Sequence, residues 1–313
     1  MSPQKTIRQK PIVVLGIFCA DAAYRAARMP RLGETILGES FVLGPGGKGS
    51  NQAVAAARAG GQVHIITRLG DDAFAAMALG LWADAAITAE VTVDAGSYTG
   101  SAFIFLEAAT GQNAIIVAQG AAANLGADDV EKHRHLIEGA GVFLTQLEQP
   151  LQAALQGLQI ARAAGVTTIL NPAPAASLTD EMLALCDVIT PNESEAEGLT
   201  GLPVTTKDQA IAAADALIAR GVGAVALTMG AQGVLYRKGA TTLHIPARAP
   251  GPVVDTTGAG DAFNGGLATA LSMGAPIAQA LHFASATAGL SVTRPGAAAS
   301  MPTRAEIDAF LTQ

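Results

Sequence analysis

The stretch "GPGGKGSNQ", Gly44 to Gln52, satisfies G-x-G-x-x-G at Gly44, Gly46 and Gly49. Its reading decides which kind of α/β protein this chain is. A dinucleotide fingerprint needs its first glycine directly after the first core strand, and an acid after the next strand to hold a ribose. Here the first apolar run, "IVVLGIF" at 12–18, ends well upstream, with extended sequence in between. The following run, "VHIITRLG" at 63–70, carries Arg68 rather than an acid near its end. A P-loop fails too, because Gly49 follows Lys48 where Ser or Thr is required, and Val42 stands in place of its first glycine. Glycines also permit backbone angles closed to other residues and let a ligand approach the main chain. The loop runs into "SNQAVAAARAG", a predicted helix, so a hydroxyl-rich ligand there would meet backbone N–H groups, Lys48 and Asn51. A glycine-rich hinge between lid and core is the purely structural alternative.

Short apolar runs recur along the rest of the chain: "VFLTQLE" at 142–148, "TTILNPA" at 167–173, "DVITPN" at 187–192 and "AVALTMG" at 224–230. Helical patterns such as "LQAALQGLQIARAAG" and "DQAIAAADALIARG" lie between most of them, each closed by glycine. This alternation predicts a doubly wound, mostly parallel central sheet flanked by helices. Residues 34–43 and 101–117 read instead as exposed strands, the second a hairpin around Gly111. They predict a small β-sheet lid, formed by about 19–44 and 97–118, within a single domain spanning 1–313. In open sheets of this kind ligands lie beyond the carboxyl ends of the strands, where the sequence puts Asp21, Glu148, Asn171, Asn192 and Thr228.

Half of the residues are hydrophobic while aromatics make up only 4%, so the apolar content is mostly Ala, Val, Leu and Ile, as tightly packed helices on a parallel sheet require. A formal charge of −7 gives no electrostatic footprint for nucleic acid or an anionic membrane. It does not exclude phosphate ligands, which backbone dipoles can hold. Cys19 and Cys186 lack metal-ligand spacing and read as reduced thiols. No apolar stretch has the length of a membrane span, and the expected location is the cytoplasm.

The chemistry resides in "DTTGAGDAFNGG", Asp255 to Gly266. Gly258-Ala259-Gly260 precede a helix predicted to start around Asp261, and N–H groups at such a turn form an anion hole at the positive end of the helix dipole. Asp261 is placed to take a proton from an attacking hydroxyl. An ordinary Asp at a helix N-terminus is the structural alternative.

Together, "GPGGKGSNQAVAAARAG" and "DTTGAGDAFNGG" resemble the two signatures of the ribokinase-like (PfkB) carbohydrate kinase family. "TQLEQP", "LNPAPA", "TPNESEAEGLTG", "LTMGAQGV" and "SVTRPGAAASMP" extend the likeness, in order, toward its ribokinases. The resemblance implies that Asp261 is the base and that Gly258, Ala259 and Gly260 form the hole for the transferred γ-phosphate. It implies Asn192 and Glu195 around nucleotide phosphates and water-held Mg²⁺, with Thr228, Gly230, Gly233 and Ser285 against the adenine nucleotide. It also implies a K⁺ or similar monovalent-cation site at Asp255, Thr257, Ser291, Arg294, Gly296 and Ser300. For the sugar it points to Asp21, Gly47, Lys48, Gly49, Asn51 and Glu148, side chains suited to vicinal hydroxyls. Cys19 departs from the pattern, since ribokinases usually place Asn two residues before the aspartate. A thiol hydrogen-bonds weakly, so one sugar hydroxyl contact is expected to be lost or altered.

The implied function is ATP-dependent phosphorylation of the terminal hydroxymethyl of ribose or a related pentose. A hexose, ketose, sugar acid or nucleoside is the alternative within the family, and a non-catalytic sugar-binding protein the alternative outside it. A nicotinamide-dependent oxidoreductase would rest on Gly44–Gly49 alone. The resemblance further implies a homodimer joined through the lid, whose open strand edges need partners.

Overall fold

The structure, a computed structural model, describes residues 9–313, and two sheets organise them. The central sheet has nine strands in the order β13-β12-β11-β10-β9-β8-β1-β4-β5. They are β1 (Ile12–Leu15), β4 (Val63–Leu69), β5 (Thr88–Val93), β8 (Val142–Thr145), β9 (Thr167–Leu170), β10 (Val188–Ile189), β11 (Val225–Thr228), β12 (Val234–Lys238) and β13 (Thr241–Ile245). From β5 through β11 every neighbour is parallel, and β12 and β13 add an antiparallel hairpin at one edge. The "IVVL" of β1 is buried throughout, because helices cover both of its faces.

On one face lie α1 (Lys48–Arg58), α2 (Ala73–Asp84), α9 (Ala259–Ser272), α10 (Ile277–Ser291) and α11 (Arg304–Leu311), packed on Ile12 and Val14. On the other, Val13 and Leu15 meet α3 (Ala127–Lys132), α4 (Arg134–Gly139), α5 (Leu151–Ala163), α6 (Asp180–Ala184), α7 (Glu193–Thr200) and α8 (Lys207–Ala219). Strand order runs from β1 to β4 and β5 on one side, then resumes with β8 on the other. That reversal opens a crevice beyond the carboxyl ends of β1 and β8.

The second sheet has the order β3-β2-β6-β7, from β2 (Cys19–Ala26), β3 (Ser40–Gly46), β6 (Thr99–Glu107) and β7 (Asn113–Gly120). It carries an exposed aromatic cluster, the Tyr24 ring centroid lying 4.8 Å from that of Phe41 and 5.7 Å from that of Phe103. The expected strand at 34–43 begins only at Ser40 and runs on to Gly46, and "CADAAYRA" pairs between it and β6. Asp21 therefore sits on a strand of the small sheet rather than at the end of a central strand. Alternation cannot reveal this, since half of β2 is alanine. Three further strands, β5, β12 and β13, carry too many polar residues to stand out as apolar runs. The helix expected around Asp261 starts at Ala259, two residues earlier, because Gly258 caps it in a left-handed conformation with φ 76°. Among the described residues no helix is long and apolar enough to cross a membrane.

Candidate active site

Gly46, Gly47 and Gly49 are explained by close approach, whereas a Cβ on Gly44 would meet open space. A Cβ on Gly49 would lie 2.6 Å from the Gly16 Cα, where α1 abuts the end of β1, and one on Gly46 would run into the Asp21 carboxyl. The loop thus brings Lys48 to the crevice, where its N–H donates to Glu148 Oε2 at 2.7 Å.

Across the crevice the start of α9 presents its N–H groups. Ala259 donates to the Thr256 carbonyl at 3.1 Å, while those of Gly258, Gly260 and Asp261 take no backbone acceptor among the described residues. Three free donors at a helix N-terminus make an anion site. Ala259 contributes its position in the turn rather than a donor.

Asp261 is 6% exposed and held at both oxygens: Gln52 Nε2 donates to Oδ1 at 3.0 Å and Asn51 Nδ2 to Oδ2 at 3.1 Å. Burial pushes its carboxyl above the ordinary range, against the pull of Lys48 and the two amides. Burial also raises Glu148, to about 7, with Lys48 opposing, and it raises Asp21 to about 6, with Asp261 adding to the shift. Glu195 is raised by burial as well. Burial pulls Lys48 down, but Asp261, Glu148 and Glu195 outweigh it and hold the ammonium above its usual value. Three carboxylates thus converge on one ammonium, with Asp21 close to Asp261. Asn51 Oδ1 is buried without a partner among the described residues, an acceptor left for a ligand hydroxyl.

A cavity of about 220 Å³ joins Lys48, Asn192, Glu195 and Thr228 to the Gly258–Asp261 turn. Asn192 and Glu195 form a capping box at the start of α7, Glu195 Oε2 accepting from the Asn192 N–H at 2.9 Å. Lys48, expected at the sugar, thereby borders the anion site too. Asp21, Cys19, Gly47, Gly49, Asn51 and Glu148 lie beside this cavity, toward the small sheet, and do not line it. Gly230 and Gly233 occupy the turn after β11 and Ser285 is half-buried on α10, all outside the cavity lining. Gln52, Thr190, Thr256 and Asn264 are site residues that the sequence does not announce. The i, i+3 spacing of Asn264 from Asp261 is the one available signal.

At the back of the anion turn, Asp255 Oδ1 accepts from the Thr257 N–H and Oδ2 from that of Gly296, both at 2.9 Å. Burial raises the Asp255 carboxyl, and these bonds outweigh it, leaving it below its ordinary value. Among the described residues, no cluster of three or more His, Cys, Asp or Glu side chains is gathered as a metal site.

Residues 9–304 match the family described as pfkB family carbohydrate kinase. The chain belongs to this family. Among PfkB relatives, the ribokinase of Haemophilus influenzae is 40% identical over 304 residues, covering 97% of this chain and 99% of its own. The deoxyribokinase of Salmonella typhi is 34% identical, covering 96% and 98%. A solved structure of Arabidopsis thaliana ribokinase complexed with ribose and ATP superimposes with a TM-score of 0.90 at 32% identity, covering 97% and 99%. A PfkB kinase chemistry accounts for the arrangement: a buried carboxylate lies beside an anion site, with polar groups under a small sheet.

Proposed function

We propose that this PfkB protein transfers the γ-phosphate of ATP to the terminal hydroxymethyl of ribose, with Asp261 as base. The carrying observation is the Asp261 carboxylate, held by two amides at the mouth of three unpaired N–H groups. As the hydroxyl oxygen attacks the γ-phosphorus, its proton passes to Asp261 and the bond to the ADP oxygen breaks. The N–H groups of Gly258, Gly260 and Asp261 receive the charge on the transferring group. Asp21, Lys48, Asn51 and Glu148 hold the sugar, and the small sheet acts as a lid over it. Thr228, Gly230, Gly233 and Ser285 flank the nucleotide. The relatives support both ligands, since one was solved with ribose and ATP.

Mg²⁺ fits at Asn192 and Glu195: one Glu195 oxygen closes the capping box, which leaves the other for a water-held cation. That ion would neutralise phosphate charge. A monovalent cation, K⁺ by preference, fits the all-oxygen set of Asp255, Thr257, Ser291, Gly296 and Ser300. The buried Ser291 and Ser300 hydroxyls donate to local carbonyls at 2.8 Å, which keeps their oxygens free as acceptors. Arg294 would take part through its backbone, its guanidinium being paired with Glu306 at 2.5 Å. Two buried free cysteines fit a reducing cytoplasm. The exposed apolar side chains of the small sheet support a homodimer formed through it.

A second reading rests on Cys19. Its thiol makes no hydrogen bond among the described residues, and burial, with Glu148 and Asp21 nearby, pushes it up to about 12. A neutral thiol at this spot tolerates a pentose lacking one hydroxyl, and a deoxyribokinase stands among the relatives.

Release of ADP across a panel of pentoses, deoxypentoses, hexoses and nucleosides tests both readings. Asp261→Asn is expected to lower kcat by roughly a thousandfold or more with the fold intact. Survival of kcat within about tenfold removes Asp261 from the base role.

A further inference from the structure

Behind Asp261 runs a chain of buried amides whose orientation the chemistry dictates. It starts at the Thr190 backbone carbonyl, which can only accept. Asn171 Nδ2 donates to it at 3.0 Å, so Asn171 Oδ1 must face the other way, toward Gln52. Gln52 therefore turns its Nε2 to Asn171 at 3.1 Å, and the same nitrogen gives its second proton to Asp261 Oδ1 at 3.0 Å. On the far side Gln52 Oε1 accepts from Gln146 Nε2 at 2.5 Å. Flipping Gln52 would set its oxygen against two other acceptors and its nitrogen against a donor. Gln52 and Gln146 are wholly buried, so no solvent could relieve that conflict.

We infer that Gln52 is a positioning residue for the Asp261 carboxylate, its donor locked in place by Asn171 and the Thr190 carbonyl. The inference rests on the reading of Asp261 as base. Gln52 is wholly buried behind Asn51 and Asp261, so it acts on the reaction only through Asp261. With Asn51 on Oδ2, it fixes the plane of the carboxylate while leaving each oxygen a lone pair for a hydroxyl proton. The other charged groups facing Asp261 are Lys48 of α1, Asp21 of β2, Glu148 after β8 and Glu195 of α7. All are unaltered by a change at Gln52.

Replacing Gln52 tests this. Gln52→Met keeps chain length and volume but removes the donor. It is expected to lower kcat about tenfold or more, with both KM values within about threefold, since the substrates do not touch this residue. Loss of a donor to the charged form moves the acid limb of kcat up by about one pH unit. Because Met leaves Gln146 and Asn171 with unpaired polar groups, the isosteric Gln52→Glu variant is run beside it. A second carboxyl against Asp261 is expected to move the limb further up, with activity recovering at high pH. The carboxyl carbon of Asp261, followed by ¹³C NMR and assigned by its absence in Asp261→Asn, should shift its titration in the same order without any turnover. An acid limb and a titration that stay at wild-type positions in both variants overturn the inference. Full turnover by Asp261→Asn overturns the base assignment instead, and the NMR titration then still judges Gln52.

Discussion

At Glu148 the site stores a conflict between binding and stability. Its carboxyl has an ordinary value of 4.5 and rises to about 7 in the folded protein, chiefly through burial. The folded state therefore holds this proton more tightly than the unfolded state, so stability from Glu148 is fully present below about pH 4.5. It is lost as pH rises through the folded value, and at pH 8 the buried charge is a net cost. Glu148→Gln should raise the stability of the unliganded protein at pH 8 by roughly 1–2 kcal/mol while weakening sugar binding. Urea unfolding at pH 5 and pH 8 checks it: the gain should vanish at the lower pH. Cys19 poses the complementary case, a weakly hydrogen-bonding thiol where the family pattern leads one to expect an amide. Cys19→Asn should shift kcat/KM toward ribose over 2-deoxyribose by roughly tenfold, the value of one matched hydrogen bond, as a paired sugar assay would show. Residues with chemistry of their own, such as Asp261, Lys48 and Glu148, were legible in the sequence because motif and residue type coincide. Asn171 was legible only as a polar residue at a strand end, and Gln52 was not, since its role depends on Asn171 and Gln146, which only folding brings beside it.

Small-sheet geometry depends on how its strands are tied to the central sheet. Asp72 caps α2, with Oδ1 accepting from the Ala75 N–H at 2.8 Å and Oδ2 accepting from the Thr99 N–H at 2.8 Å. One side chain thereby joins a core helix to the first residue of β6. Asp72→Ala should cost about 1–2 kcal/mol, above an isolated cap because two bonds are lost. It should also speed amide exchange at the start of β6 and raise the sugar KM more than it lowers kcat. Unchanged exchange at Thr99 would refute the tie. At this level the doubly wound sheet was readable from continuous apolar runs alternating with helical patterns. β2 was hidden by its alanines, and β5, β12 and β13 by polar residues tolerated near the sheet edges. Gly44–Gly49 matched a dinucleotide pattern by spacing. Only the contacts of Gly46 with Asp21, of Gly47 with the Ile17 carbonyl and of Gly49 with Gly16 show why glycine is needed there.

The assembly question is decided by what covers the small sheet. Phe41, Val42 and Leu43 on β3 and Ile115, Ile116 and Val117 on β7 are each at least 40% exposed, consecutive residues on both edge strands. Consecutive exposure means that both faces of these strands are uncovered, and an apolar patch on an open edge strand invites pairing. A second copy of the same sheet offers the matching surface, because self-complementary patches close by two-fold symmetry. If that pairing forms, β3, which ends at Gly46 beside Asp21, is stiffened where it meets the proposed sugar ligand. Val42→Asp with Ile116→Asp should therefore yield a monomer by sedimentation. Its sugar KM should rise about tenfold or more while the ATP KM stays within about threefold, since the residues proposed to flank the nucleotide belong to elements outside this sheet. A wild-type monomer at micromolar concentration would rule out the dimer. A double variant that becomes monomeric with an unchanged sugar KM would show instead that pairing leaves the sugar site untouched.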